Sequence, residues 1–174
     1  EIMKLDQICN KQDEFYTPEY AIEPILKYVE IGKTVWCPFD TKESHFVKML
    51  SKKGLDVINS HIQEGIDFFN YPVPECDYII SNPPYSLKGE VFKRLFEIGK
   101  PFAMLVGVVG LFESEKRFSM FEKNQFEIMY LNRRVAYFKD YKEQKPSLNP
   151  PFSSVYLCSK MLPSQIVFER IKKV

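Results

Sequence analysis

Short, nearly unbroken apolar runs alternate along this chain with segments whose apolar residues recur every three or four positions. The runs at 34–39, 55–59, 77–81 and 101–109 predict buried strands, the last being the most apolar. Helical spacing marks 18–30, where Ala21, Ile22, Ile25, Leu26 and Val29 fall on one face. Thr17 reads there as an N-cap, with Pro18 at the first helical position and Pro24 inside. Residues 44–53 (Phe46, Val47, Met49, Leu50), 88–98 (Val91, Phe92, Leu95) and 113–123 read as further helices. Gly32, Gly54 and Gly99 close the first three. A brief element is expected at 65–69, and two late strands at 126–138 and 153–161, joined by a polar loop at 139–152. Residues 165–170 read as a final strand or a tail.

Strands that alternate with helices, each strand apolar on both faces, predict an α/β fold: a mainly parallel sheet with helices on both faces. The late pair, with no helix between, predicts an antiparallel hairpin at one edge. Ligands of such sheets bind beyond the carboxyl ends of the strands, near the reversal in strand order. The loops that follow Phe39 and Ser81 therefore open onto the same crevice. A single domain over 1–174 is the expectation from length.

Composition narrows the classes. The chain is 45% hydrophobic and 27% charged, which excludes a disordered segment. No apolar run approaches the roughly 18 residues of a membrane span, and no signal-peptide pattern opens the chain, so a cytoplasmic protein is expected. The balance of 24 basic and 23 acidic residues does not announce nucleic acid through bulk charge and leaves only a local patch. Cys9, Cys37, Cys76 and Cys158 are scattered and only two histidines are present, so neither a zinc site nor a disulfide is expected. No Gly-x-Gly-x-x-Gly follows a strand, which argues against a dinucleotide enzyme.

The candidate chemistry sits at the end of the third strand, in Asn82-Pro83-Pro84-Tyr85. Two consecutive prolines remove two backbone donors and fix φ, which stiffens the loop. The Asn82 amide and the Pro83 carbonyl are then held beside the flat ring of Tyr85. Two oxygen acceptors next to an aromatic face suit a planar NH2 group on a heterocycle. A proline-rich turn after a buried strand is the plainer alternative.

Phe15-Tyr16-Thr17-Pro18, the strand and loop around 35–40, Asp67-Phe68-Phe69 and Asn82–Tyr85 follow the order used by adenine-N6 amino-methyltransferases. Over nearly its whole length the chain resembles the small phage and prophage DNA adenine methyltransferases. The resemblance implies a Rossmann-like methyltransferase fold with a seven-stranded sheet, S-adenosylmethionine as cofactor, and an adenine swung out of its helix. It implies that Asn82 and Pro83 hold the amino hydrogens, with Pro84 stiffening the loop and Tyr85 stacking on the base. For the cofactor it implies Phe15, Tyr16 and Thr17 at the methionine end and Pro38, Phe39 and Asp40 after the first strand. Asn59 stands at the ribose position (His61 if the register slips by two), Asp67 at the adenine amino group, and Phe68 against the ring. A helix cap for Thr17, and core packing for one of Phe68 and Phe69, remain open.

The chain departs from the family after the first strand: Cys37 stands at an acidic place, and Thr41 and Glu43 at glycine places. The separate target-recognition segment of sequence-specific relatives is not expected within 1–174, so a partner subunit could supply recognition. Nucleic acid, DNA before RNA, is the expected partner, and no membrane. Arg133 and Arg134 are the foremost candidate contacts, ahead of Lys88, Lys93, Arg94, Lys139, Lys142 and Lys145, with Phe152 a second wall for the base or a core residue. Methylation of guanine N2 or of a protein glutamine, and a catalytically silent binding module, are the competing readings.

Overall fold

The computed structural model describes residues 16–138 and 152–172. Seven strands form one sheet in the order β2-β1-β3-β4-β6-β5-β7. They are β1 Thr34–Cys37, β2 Asp56–Asn59, β3 Tyr78–Ser81, β4 Phe102–Gly107, β5 Glu127–Leu131, β6 Ser154–Ser159 and β7 Ile166–Glu169. The helices are α1 Glu19–Leu26, α2 His45–Lys53, α3 Lys88–Ile98 and α4 Glu115–Lys123. Every pairing is parallel except those of β6, which runs antiparallel to both β4 and β5. The expected hairpin is present, but β6 is inserted inside the sheet and β7 forms the edge.

Successive strand residues point to opposite faces, so a strand buried on both sides needs an unbroken apolar run. Val35 and Ile80 face α1 and α2, where Ala21, Ile22, Ile25, Phe46 and Leu50 close a core. Trp36 and Ile79 face α3 and α4, packing with Phe92, Leu95, Met104 and Phe121. Full burial of side chains of this size stabilises the fold by about 1.5–3 kcal/mol each.

Local signals set the helix ends. Ser44 Oγ accepts from Phe46 N at the start of α2, and Gly54, at φ 107°, turns the chain at its end. A Cβ on Gly54 would meet Ile31 Cγ2 at 2.8 Å, so the site excludes side chains twice over. Glu127, buried in β5, accepts from the backbone N–H groups of Lys160, Met161 and Leu162 and so fixes the turn into β7.

Two expectations change and a third takes definite form. The strand expected over 126–138 stops at Leu131; beyond it Val135, Ala136 and Tyr137 are buried as a strap across the sheet's carboxyl rim. Tyr20 Oη accepts from Ala136 N at 2.8 Å, and Phe138 bridges to Tyr16. The brief element expected at 65–69 takes the form of a turn capped by Asp67, which follows a 3₁₀ turn at Ile62–Glu64. Thr17 does not cap α1, whose N-cap position is Pro18.

Candidate active site

The strand order reverses between β1 and β3, and the loops that follow them meet there. After β3, the diproline passes directly into a 3₁₀ turn at Tyr85–Leu87 and then α3, so the hook is rooted in a strand and a helix. Asn82 is half-buried, and its Nδ2 donates to Thr17 Oγ1 at 3.2 Å. With the nitrogen turned toward the Thr17 hydroxyl, the contact anchors the carboxamide at that end. Thr17, 1% exposed, thus anchors the hook, a role its cap-like sequence position concealed.

Asn82, Pro83, Pro84 and Tyr85 share a pocket with Lys88, Gly107, Tyr137 and Phe152. Its void is about 10 Å³, the size of a single water. Tyr85 and Phe152 lie 5.2 Å apart between ring centroids, tilted by 34°. A base between two rings requires two stacking distances, about 7 Å, so one ring must move for a base to enter. Phe152, anticipated as a nucleic-acid contact, is a buried wall that also packs on Tyr137 at 5.8 Å. A Cβ on Gly107 would stand 3.1 Å from Phe152, tight enough to shift that ring by a few tenths of an ångström, and 3.4 Å from Tyr85, an ordinary contact.

Lys88 corrects the sequence reading outright. It is buried, not a surface contact, and its Nζ donates to the carbonyls of Val109 at 2.6 Å and Gly107 at 3.2 Å. The same ammonium lies 4.9 Å from the Tyr85 ring centroid. Burial, reinforced by the nearby Arg117 charge, lowers its pKa to about 8. Arg94 is likewise engaged, donating to the Tyr71 carbonyl over the ring of Phe68.

The loop after β1 turns its polar groups inward. Asp40 is buried, and its carboxylate accepts from Ser44 Oγ and Ser81 Oγ, each at 2.5 Å. Burial raises its pKa to about 6 against the pull of those two hydroxyls and of His61. Ser81 immediately precedes Asn82, so this carboxylate ties the first loop to the hook. Thr41 Oγ1 donates to Glu43 Oε2 at 2.9 Å, and Glu43 stands exposed, so the side chains at the glycine places bond each other at the surface.

On the β2 side, Asn59 ends its strand half-buried, and Asp67 accepts from Phe69 N at 3.0 Å and Asn70 Nδ2 at 3.3 Å. Pro38 is buried and Phe39 half-buried. Phe68 is fully buried against Trp36, Phe39 and Phe69, so the core role falls to it, and it offers no surface to a cofactor ring. His61 caps the 3₁₀ turn through Nδ1. Tyr16 pairs with Phe138 next to Thr17, whereas Phe15, Lys139, Lys142 and Lys145 lie outside the described residues. Cys37, Cys76 and Cys158 are buried thiols, and burial pushes each pKa up.

Arg133 and Arg134 stand exposed just past β5, on the rim that carries the hook. The sequence reading missed a groove of about 680 Å³ between α3 and α4, lined by Lys93, Lys116, Arg117, Lys123 and one acid, Glu90. Among the described residues, no ion pair engages those four cations.

Comparison with solved structures finds a likeness to a protein described as a modification subunit of a type I restriction enzyme from Vibrio vulnificus. The TM-score is 0.59 at 13% identity, over 98% of this chain and 49% of that one. The chain thus spans about half the length of that subunit and shares its α/β, methyltransferase-type fold. No family model matches the sequence, and no curated protein does. No helix among the described residues is long and apolar enough to cross a membrane.

Proposed function

We propose that this chain is an S-adenosylmethionine-dependent methyltransferase acting on the N6 amino group of adenine in nucleic acid, DNA in preference to RNA. The observation that carries this reading is the Asn82 carboxamide, anchored by Thr17 at the switch point and set in one pocket with Pro83 and two aromatic rings. Asn82 Oδ1 and the Pro83 carbonyl accept the two amino hydrogens, which draws them out of conjugation and frees the nitrogen lone pair for attack. Tyr85 and Phe152 take the faces of the base once the rings separate. Once the methyl is transferred, the N6 ammonium formed is a strong acid and gives its proton to solvent. The amide oxygens of the hook orient the N–H groups but are too weakly basic to keep the proton. Catalysis then rests on the orientation of two reactants, and no enzyme nucleophile takes part.

When bound, S-adenosylmethionine supplies an electrophilic sulfonium methyl. Support for this cofactor comes from Asn59 and Asp67, which offer hydrogen-bonding side chains on the β2 side of the crevice. Asp40, bonded to Ser44 and Ser81, supports the hook from the loop after β1.

The cation-lined groove beside α3 and the arginines of the rim support a polyanionic substrate despite a net charge of +1. The kinship in fold with a modification subunit supports a partner subunit for target recognition. A labelled methyl donor offered with DNA, RNA and a protein extract tests the reading. Label in DNA is expected; label in protein alone would move the assignment to a glutamine methyltransferase. Calorimetric titration with S-adenosylhomocysteine completes the test, since a silent scaffold gives no heat.

A further inference from the structure

We infer that Lys88 is the positioning residue of the base pocket: its ammonium ties the Tyr85 ring to the carbonyls of Gly107 and Val109 and so sets the face on which the base stacks. The inference rests on reading the hook as a base-binding site. Lys88 follows Tyr85 by three residues, as the first residue of α3, and is only 4% exposed. An ammonium has three N–H donors. Two go to Gly107 O and Val109 O, and the remaining charge faces the ring at 4.9 Å. The two carbonyls belong to the end of β4 and the residues just past it, which form the back of the pocket where Gly107 leaves room for both rings. One cation therefore braces the stacking ring and the rear wall together.

The brace depends on charge. A neutral amine has two N–H groups and a lone pair, which cannot serve two carbonyls and also attract a ring face. Arg117 on α4 repels the ammonium, and Glu113, just before that helix, attracts it. Tyr85 itself and Tyr137 across the void are the other titratable groups, and burial keeps the Tyr137 phenol neutral. With its pKa lowered to about 8, Lys88 holds the brace at neutral pH and releases it in mild alkali.

Two experiments test this. In the protein alone, the Tyr85 ring resonances and the Lys88 side-chain carbon are followed by NMR from pH 6.5 to 9.5. A shared midpoint near 8 is expected, absent for Tyr85 in Lys88→Met. A Tyr85 signal that does not titrate, or that titrates unchanged in Lys88→Met, overturns the proposal. In the second, methyl transfer to DNA is measured against pH. The wild-type KM for DNA should climb above pH 8, Lys88→Arg should hold it flat, and Lys88→Met should raise it roughly tenfold at pH 7, the fold-change of a partly desolvated cation–π contact. The KM for S-adenosylmethionine should stay unchanged. A KM for DNA that stays flat in the wild type overturns the role in base positioning. If no methyl transfer occurs to any acceptor, the reading of the hook fails, and the NMR pair still decides whether Lys88 governs Tyr85.

Discussion

The two loops at the switch point share one crevice but treat their polar groups in opposite ways. After β3, the prolines stiffen the chain, and the bond to Thr17 anchors the Asn82 amide. After β1, Asp40 bonds to Ser44 and Ser81, and Thr41 to Glu43, so that loop is closed on itself and on its neighbour. The first loop is built to present acceptors, the second to brace the first. A loop that lacks glycines can therefore still brace the hook through its side chains.

The sharpest way to break this comparison is Asn82→Ala. Methyl transfer should fall by at least roughly 10²–10³-fold, the scale of losing one preorganised electrostatic partner. The thermal midpoint should change little, because Asn82 is half-buried and belongs to no core cluster. Retained turnover would remove the amide from the chemistry.

Asp40→Asn probes the brace. The folded pKa of Asp40, about 6, lies above its ordinary 3.8, so between those values the folded state keeps a proton that the unfolded chain gives up. Above about pH 6 the buried charge therefore costs stability, at most on the order of 3 kcal/mol. Asparagine can accept from one serine and donate to the other. The variant should melt higher than wild type at pH 7–8, and the difference should fade as the pH falls toward 4. A lower melting point at pH 8 would mean that the two serine bonds outweigh desolvation.

Tyr85→Ala should weaken engagement of the base by about 1–3 kcal/mol, read as the KM for DNA, with S-adenosylhomocysteine affinity unchanged. The smallest effect is expected from Thr41→Gly combined with Glu43→Gly. These side chains bond each other at the surface, so cofactor affinity by calorimetry should shift less than about threefold. A large gain would show that they obstruct the crevice after all.

What the sequence disclosed follows how local each cause is. The hook was legible because prolines act on their own φ and on the residue before them, whatever the rest of the fold does. Strands β1, β3 and β4 were legible because burial on both faces demands unbroken apolar runs. The run at 135–137 carries the same signature for a different reason: Val135, Ala136 and Tyr137 are buried as a strap. The insertion of β6 between β4 and β5 depends on pairing between distant segments, which periodicity does not encode. Thr17 and Lys88 were misread for the same reason. A threonine before Pro-Glu resembles a cap, yet its partner is Asn82, and a lysine opening a helix resembles a surface charge, yet the carbonyls that bury it lie at Gly107 and Val109. Phe68 gave the core role its sequence allowed, and the cations of the α3–α4 groove come together only through helix packing.

The most direct test of the central claim is nucleoside mass spectrometry of DNA incubated with the protein and a deuterated methyl donor. The account predicts labelled N6-methyldeoxyadenosine with the wild-type chain and none with Asn82→Ala. Label on guanine, or equal label on adenine from both proteins, would contradict it.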